Sequence, residues 1–154
     1  MKMNTLLIAL MVIAAGHARA TDQTLLLSGN DWRICADADG AGEAQRIFDA
    51  APVGADWLPA RVPGNIQADV EAAHLLRPLW YGGIDTNLYE VARKDWWYRK
   101  DVVVPASLAG QRLTLVFDGV DERCQVWWNG KRIGANAGMF RRFSFDVSAV
   151  VKPG

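Results

Sequence analysis

The sequence predicts an all-β domain, a two-sheet sandwich or jelly roll carrying one short helix, and three observations predict it. Apolar and polar residues alternate in several short runs: Leu113, Leu115 and Phe117, then Cys124, Val126 and Trp128, then Phe143, Phe145 and Val147. A period of two places one face of each run in a core and leaves the other partly wet. Turn signals separate the runs, the strongest being Asn129-Gly130, a pair that supplies the positive φ angles of a type I′ hairpin. Only one segment changes to a helical period.

Taken in order, Leu25-Leu26-Leu27 and Trp32-Arg33-Ile34-Cys35 read as strands joined by the turn Ser28-Gly29-Asn30-Asp31. Asp37 to Gly42 reads as loop. Trp57 to Gly64 is extended, because its prolines fix φ and bias their predecessors away from the helix. From Asn65, a suitable N-cap, Ile66, Val70 and Ala73 fall at helical spacing, so a helix is expected up to about Leu75. Leu79 to Asn87, with Gly82-Gly83 and no period, reads as a loop, the element type that most often carries function. Tyr98 to Val104 reads as a strand stopped by Pro105. The three alternating runs follow, with Lys131-Arg132-Ile133 returning from the hairpin. Lys152-Pro153-Gly154 reads as a turn, so the sandwich is expected to be truncated at its C-terminus, with an open edge.

The N-terminus predicts export. Lys2 precedes the apolar run Leu6 to Ala15, too short for a membrane-spanning helix, and Ala18-Arg19-Ala20 has the small-x-small pattern of a cleavage site. Residues 1–20 are therefore expected to be a signal peptide and 21–154 the domain, in the periplasm or secreted, with no membrane attachment after cleavage. Lysine plus arginine and aspartate plus glutamate number 17 each, a balance that offers nucleic acid no basic patch. Cys35 and Cys124 have two readings, a disulfide in an oxidising compartment or two small buried hydrophobes, and both stay open. No histidine lies near either cysteine and His74 alone follows the leader, so no metal site, cofactor or histidine triad is expected.

Five motifs then occur in order: Val62-Pro63-Gly64-Asn65-Ile66-Gln67-Ala68-Asp69, Asp95-Trp96-Trp97-Tyr98-Arg99-Lys100, Phe117-Asp118-Gly119-Val120-Asp121, Val126-Trp127-Trp128-Asn129-Gly130 and Gly138-Met139-Phe140-Arg141-Arg142-Phe143. Together they resemble the N-terminal sugar-binding domain of glycoside hydrolase family 2, above all its β-mannosidase and exo-β-glucosaminidase branch, over about Leu25 to Gly154. The resemblance implies a galactose-binding-like jelly roll ahead of a catalytic (β/α)₈ barrel. There, two glutamates hydrolyse a terminal β-glycoside with retention. Those glutamates belong to the barrel, so the chain is expected to be a non-catalytic module with two partners, the carbohydrate and that barrel. The resemblance also implies that an asparagine before the Asp95–Lys100 strand reaches the rim of the sugar pocket, and Asn87 matches it. A free-standing secreted carbohydrate-binding module is the alternative. Glucosamine, galactose or glucuronate are alternative sugars.

The remaining candidates come from the residues themselves. Trp80 and Tyr81 lie in the aperiodic loop with Asp85, where rings and a carboxylate can meet a sugar. Trp96, Trp97 and Tyr98 alternate across a strand and cannot share a face. Trp97 is read as packing, and Trp96 as suited either to packing or to a ligand's flat face. Trp128 shares a face with Cys124 and Val126 and is read as core, whereas Trp127 faces away, towards a neighbouring domain. Asp118 and Asp121 are read as turn formers bonding to the backbone. Arg141-Arg142 is read as a surface pair or an interdomain contact.

Overall fold

Strand β1 (Gly29–Asp37) is the spine of the first half of the molecule, flanked on both sides by antiparallel partners, β2 (Leu58–Val62) and β3 (Asp95–Arg99). The computed structural model describes residues 23–37, 39–49, 57–76 and 86–154. Register on one side pairs Trp32 with Ala60 and Ile34 with Leu58; on the other, Ile34 pairs with Tyr98 and Ala36 with Trp96. Alternation therefore sends Trp32, Ile34, Leu58, Ala60 and Trp96 to one face.

Two helices cover that face. Helix α1 (Ile66–Ala72) starts where the sequence predicts, with Asn65 Oδ1 accepting from the Ala68 N–H at 2.8 Å, a cap worth about 1 kcal/mol. It ends earlier than expected. His74 takes φ 59°, and the His74 and Leu75 amides turn back to the Glu71 and Val70 carbonyls at 2.8 and 3.1 Å. This is a Schellman-type stop with histidine in the position that glycine usually holds. The second helix, α2 (Thr86–Arg93), was not expected; the described end of the predicted loop, Thr86 and Asn87, forms its first turn. Leu88 and Val91 face the core, with Ile34, Ala60, Val70 and Leu76 as its buried centre.

The second half is built from two ladders. Strand β4 (Thr114–Phe117) pairs with β7 (Phe143–Asp146), and β5 (Arg123–Trp128) pairs with β6 (Lys131–Ala137) through a hairpin in which Asn129 and Gly130 have φ 48° and 76°. Those angles are the ones a type I′ turn requires. The ladders meet face to face: a Cβ on Gly134 of β6 would land in the ring of Phe145 on β7. Between them lies a second core of Val104, Val147 and Val151, with Trp128, Ile133, Leu115 and Phe145 packed against it.

Three strand expectations change. Leu25 to Leu27 joins no ladder, and Gly29-Asn30 opens β1 instead of making a turn. The strand predicted over Tyr98 to Val104 keeps sheet pairing only through Arg99. Beyond it the alternation persists outside any ladder, with Val104 buried and Val103 exposed, and the Gly154 amide donates to the Val104 carbonyl at 3.0 Å.

Candidate functional site

Of the sequence-predicted site residues, the described ones are Asn87, at the start of α2, and Trp96, on β3. Asn87 lies exposed on the first turn of α2, while Leu88 and Val91 anchor the helix below it. Trp96, three residues past the helix, packs against the first core, and its indole N–H donates to the Val91 carbonyl at 2.9 Å. Trp96 thus fixes the last turn of α2 against β3, and through the helix it fixes where Asn87 stands. Its ring is engaged in packing, the first of the two roles the sequence offered it. Trp80, Tyr81 and Asp85 lie outside the described residues. An asparagine amide can both donate and accept, the capacity a sugar hydroxyl calls for.

On the opposite face of the same sheet, aromatic rings join separate parts of the chain. Trp97 donates its indole N–H to Asp37 Oδ2 at 3.0 Å, and the Gly42 amide donates to both oxygens of that carboxylate at 3.1 and 3.0 Å. Gly42 has no room for a side chain, since a Cβ there would collide with Trp97 and Asp37. Trp97 lies 5.0 Å from Trp127 between ring centroids, and Phe48 stacks on Trp127 at 5.6 Å with planes 11° apart. Arg46 sits 5.3 Å over Phe48. Trp127, read from sequence as facing another domain, closes this clasp between β3, β5 and the 39–49 segment instead. Sequence reasoning missed Phe48 and Asp37 because the contacts span separations of about 50 to 80 positions, which no local period records.

Several carboxylates are engaged by the fold. Asp69 on α1 is buried; one oxygen accepts the Arg61 amide at 3.2 Å and the other is buried without a hydrogen bond. Burial pushes its carboxyl above the ordinary aspartate range, with the Arg61 bond partly offsetting the rise. Burial first, and then the nearby charge of Asp69, pushes Tyr98 up to about 12. Asp31 is held low chiefly by Lys100, whose ammonium also lies 5.8 Å over the Trp32 ring. Asp146 is held low by the Ser148 hydroxyl and amide and by Arg112. Asp118, expected to bond backbone, reaches Arg142 at 3.3 Å. Cys35 is buried on β1 and its thiol donates to the Ala36 carbonyl at 3.6 Å. Burial raises the Cys124 thiol, and both cysteines stand as thiols. Among the described residues no cluster of three or more histidine, cysteine or acidic side chains could hold a metal ion, and no helix is long and apolar enough to cross a membrane.

Two β-layers with helices laid across one of them make an all-β sandwich of the jelly-roll class. The family model described as "Glycosyl hydrolase 2 galactose-binding domain-like" matches residues 36–154, and the chain belongs to that family as a non-catalytic, galactose-binding-like module. It is 30% identical over 148 residues to a β-mannosidase of Mus musculus, covering 96% of this chain and 15% of the mouse protein. A β-mannosidase B of Aspergillus niger is 31% identical over 99 residues, covering 64% of this chain and 12% of that protein. The chain therefore spans about one-seventh of the mouse relative's length. A β-glucuronidase from Ruminococcus gnavus, solved with D-glucuronic acid, superposes with a TM-score of 0.62 at 22% identity, over 83% of this chain and 19% of that one. That likeness supports the fold.

Proposed function

We propose that this chain is the N-terminal module of an exported β-mannosidase-type glycoside hydrolase, shaping one wall of a sugar pocket whose bond-breaking groups lie on a separate catalytic barrel. The observation that carries the reading is the 30% identity to a β-mannosidase, running through 96% of the chain. In this reading Asn87 hydrogen-bonds a sugar hydroxyl at the pocket rim. Trp80, Tyr81 and Asp85 supply further contacts to the sugar. Trp96 positions the helix. Residues 1–20 direct export and are removed, leaving the domain from Thr21 onward in the periplasm or outside the cell.

Hydrolysis of p-nitrophenyl β-D-mannoside tests it. The whole polypeptide carrying this domain should turn the substrate over, and the isolated 154-residue chain should not. Asn87→Ala in the whole polypeptide should lower kcat/KM roughly tenfold, the loss of one well-placed hydrogen bond. Turnover by the isolated chain that vanishes when one of its own carboxylates is replaced would overturn the reading. Tight glycan binding by the isolated chain, with no hydrolase attached to it in the cell, would instead favour the free-standing module. Export is checked by N-terminal sequencing of the mature protein, expected to begin at Thr21.

A further inference from the structure

The hairpin that joins β5 to β6 puts a reactive pair of residues at its tip. Of the six asparagines in the chain, Asn129 alone is followed by glycine. Asparagine is among the chemically labile side chains, because its amide carbon can be attacked by the backbone nitrogen of the next residue. A side chain on that next residue obstructs the approach, and Gly130 has none. The structure leaves the amide open. Asn129 is exposed, and its side chain makes one long hydrogen bond among the described residues, from Nδ2 to the Val150 carbonyl at 3.5 Å. Asn65 and Asn136 are held more fully. Asn65 Oδ1 caps α1 at 2.8 Å, and Asn136 uses both ends of its amide, on the Gly138 carbonyl and on Arg141, at 3.4 Å each. The turn stands at the end of a two-stranded ladder whose last pair is Trp128 with Lys131, and two strands alone are marginally stable. Local opening there requires far less than unfolding the domain.

We propose that Asn129-Gly130 is a site of spontaneous deamidation whose isoaspartate product unfastens the aromatic clasp. The Gly130 nitrogen loses its proton and attacks Asn129 Cγ. The N–Cγ bond forms, the Cγ–Nδ2 bond breaks, and Nδ2 takes up a proton and leaves as ammonia, giving a five-membered imide. Water then adds to one of the two imide carbonyls, with no change of oxidation state. Cleavage at Cγ yields aspartate. Cleavage at the main-chain carbonyl yields isoaspartate, in which the chain runs on through Cγ. Only the second product disrupts the turn. Asp-Gly serves a type I′ turn as Asn-Gly does, whereas an extra backbone carbon alters the loop length and with it the hairpin register. The space around the turn is filled, since a Cβ on Gly130 would strike the Asp49 carboxylate and touch the Phe48 ring. Phe48 stacks on Trp127, two residues before Asn129, and Trp127 meets Trp97 on β3. A shift at position 129 therefore reaches the rings that join β5 to β3 and to the 39–49 segment.

The test incubates the whole polypeptide carrying this domain in neutral buffer for several weeks. Peptide mass spectrometry with electron-transfer fragmentation then reads aspartate and isoaspartate at every asparagine. Position 129 should convert at least roughly tenfold faster than any of the other five, the ratio that a modest steric barrier at the following residue produces. Hydrogen exchange across residues 123–137 and 39–49 should rise roughly tenfold in the isoaspartate-bearing fraction, as the clasp loses its closed state. The Asn129→Asp variant, which carries the charge without the extra backbone carbon, should exchange as the fresh protein does. Asn129 staying intact, or converting no faster than the exposed Asn30, would overturn the deamidation site. Isoaspartate at 129 with unchanged exchange, or an equal rise in Asn129→Asp, would overturn its effect on the clasp.

Discussion

The two cores of this domain are built from similar side chains and sealed in different ways. The first lies under two helices, and its centre, Ile34, is completely buried, with Ala60, Val70, Leu76 and Val91 all under 10% exposed. The second lies between two two-stranded ladders; around Val104, Val147 and Val151, residues such as Val102, Leu108 and Leu113 are only half-buried. A helix laid across a sheet closes its edges as well as its face, whereas two narrow ladders leave edges on which apolar side chains stay half wet. The lesson is that the helices, minor in a β fold, cover the core whose centre, Ile34, is wholly out of water. One of those helices carries Asn87.

The largest expected effect follows from that contrast. Ile34→Ala should cost about 3–4 kcal/mol, because the surroundings are too well packed to close on the cavity. Val147→Ala in the second core should cost about 1–2 kcal/mol, where half-exposed neighbours can shift inward. Chemical denaturation of the two variants checks the pair, and equal losses would break the distinction. A smaller effect probes the second core from the opposite direction. Gly134→Ala should cost about 1–3 kcal/mol by driving its methyl into the Phe145 ring, and Phe145→Leu in the same chain should recover part of it.

The smallest effect is electrostatic and belongs to the helix-covered half. Tyr98 should titrate by ultraviolet difference absorbance with a midpoint near 12, and Asp69→Asn, which removes the neighbouring charge, should bring that midpoint back towards 10. Because the folded phenol ionises later than the unfolded one, the contribution of Tyr98 to stability should be constant below pH 10 and fall as pH rises from about 10 to 12. Asp69 behaves in the same sense, in the carboxylate range. Its carboxyl is raised on folding, so its charged form is disfavoured in the folded state, and at neutral pH Asp69→Asn relieves that burden.

Much of this arrangement is legible in the sequence where the signal is local. The Asn65 cap, the Asn129-Gly130 hairpin and the alternating runs of β4, β5 and β7 all depend on neighbours a few residues apart, and each appears where its pattern stands. The errors are of two physical kinds. Helix α1 stops early because His74 adopts a conformation that sequence reading reserves for glycine. Helix α2 was missed although Leu88, Val91 and Ala92 carry the i, i+3, i+4 pattern, since the aperiodic Gly82-Gly83 stretch just before it dominates the local reading. Asn87 was picked out by its motif; that it rides on a helix held by Trp96 needed coordinates. The role of Trp127 was misassigned because its partners, Phe48 and Trp97, come from distant segments.

The clasp formed by those rings has an optical consequence. Two indoles with centroids 5.0 Å apart, inclined at 49° and mounted on strands of different sheets, are close enough for their excited states to couple. The pair should give a circular-dichroism couplet of opposite-signed bands that neither tryptophan produces alone. Its amplitude reports on the separation of the sheets rather than on secondary structure, so the domain contains its own gauge of whether its layers are together.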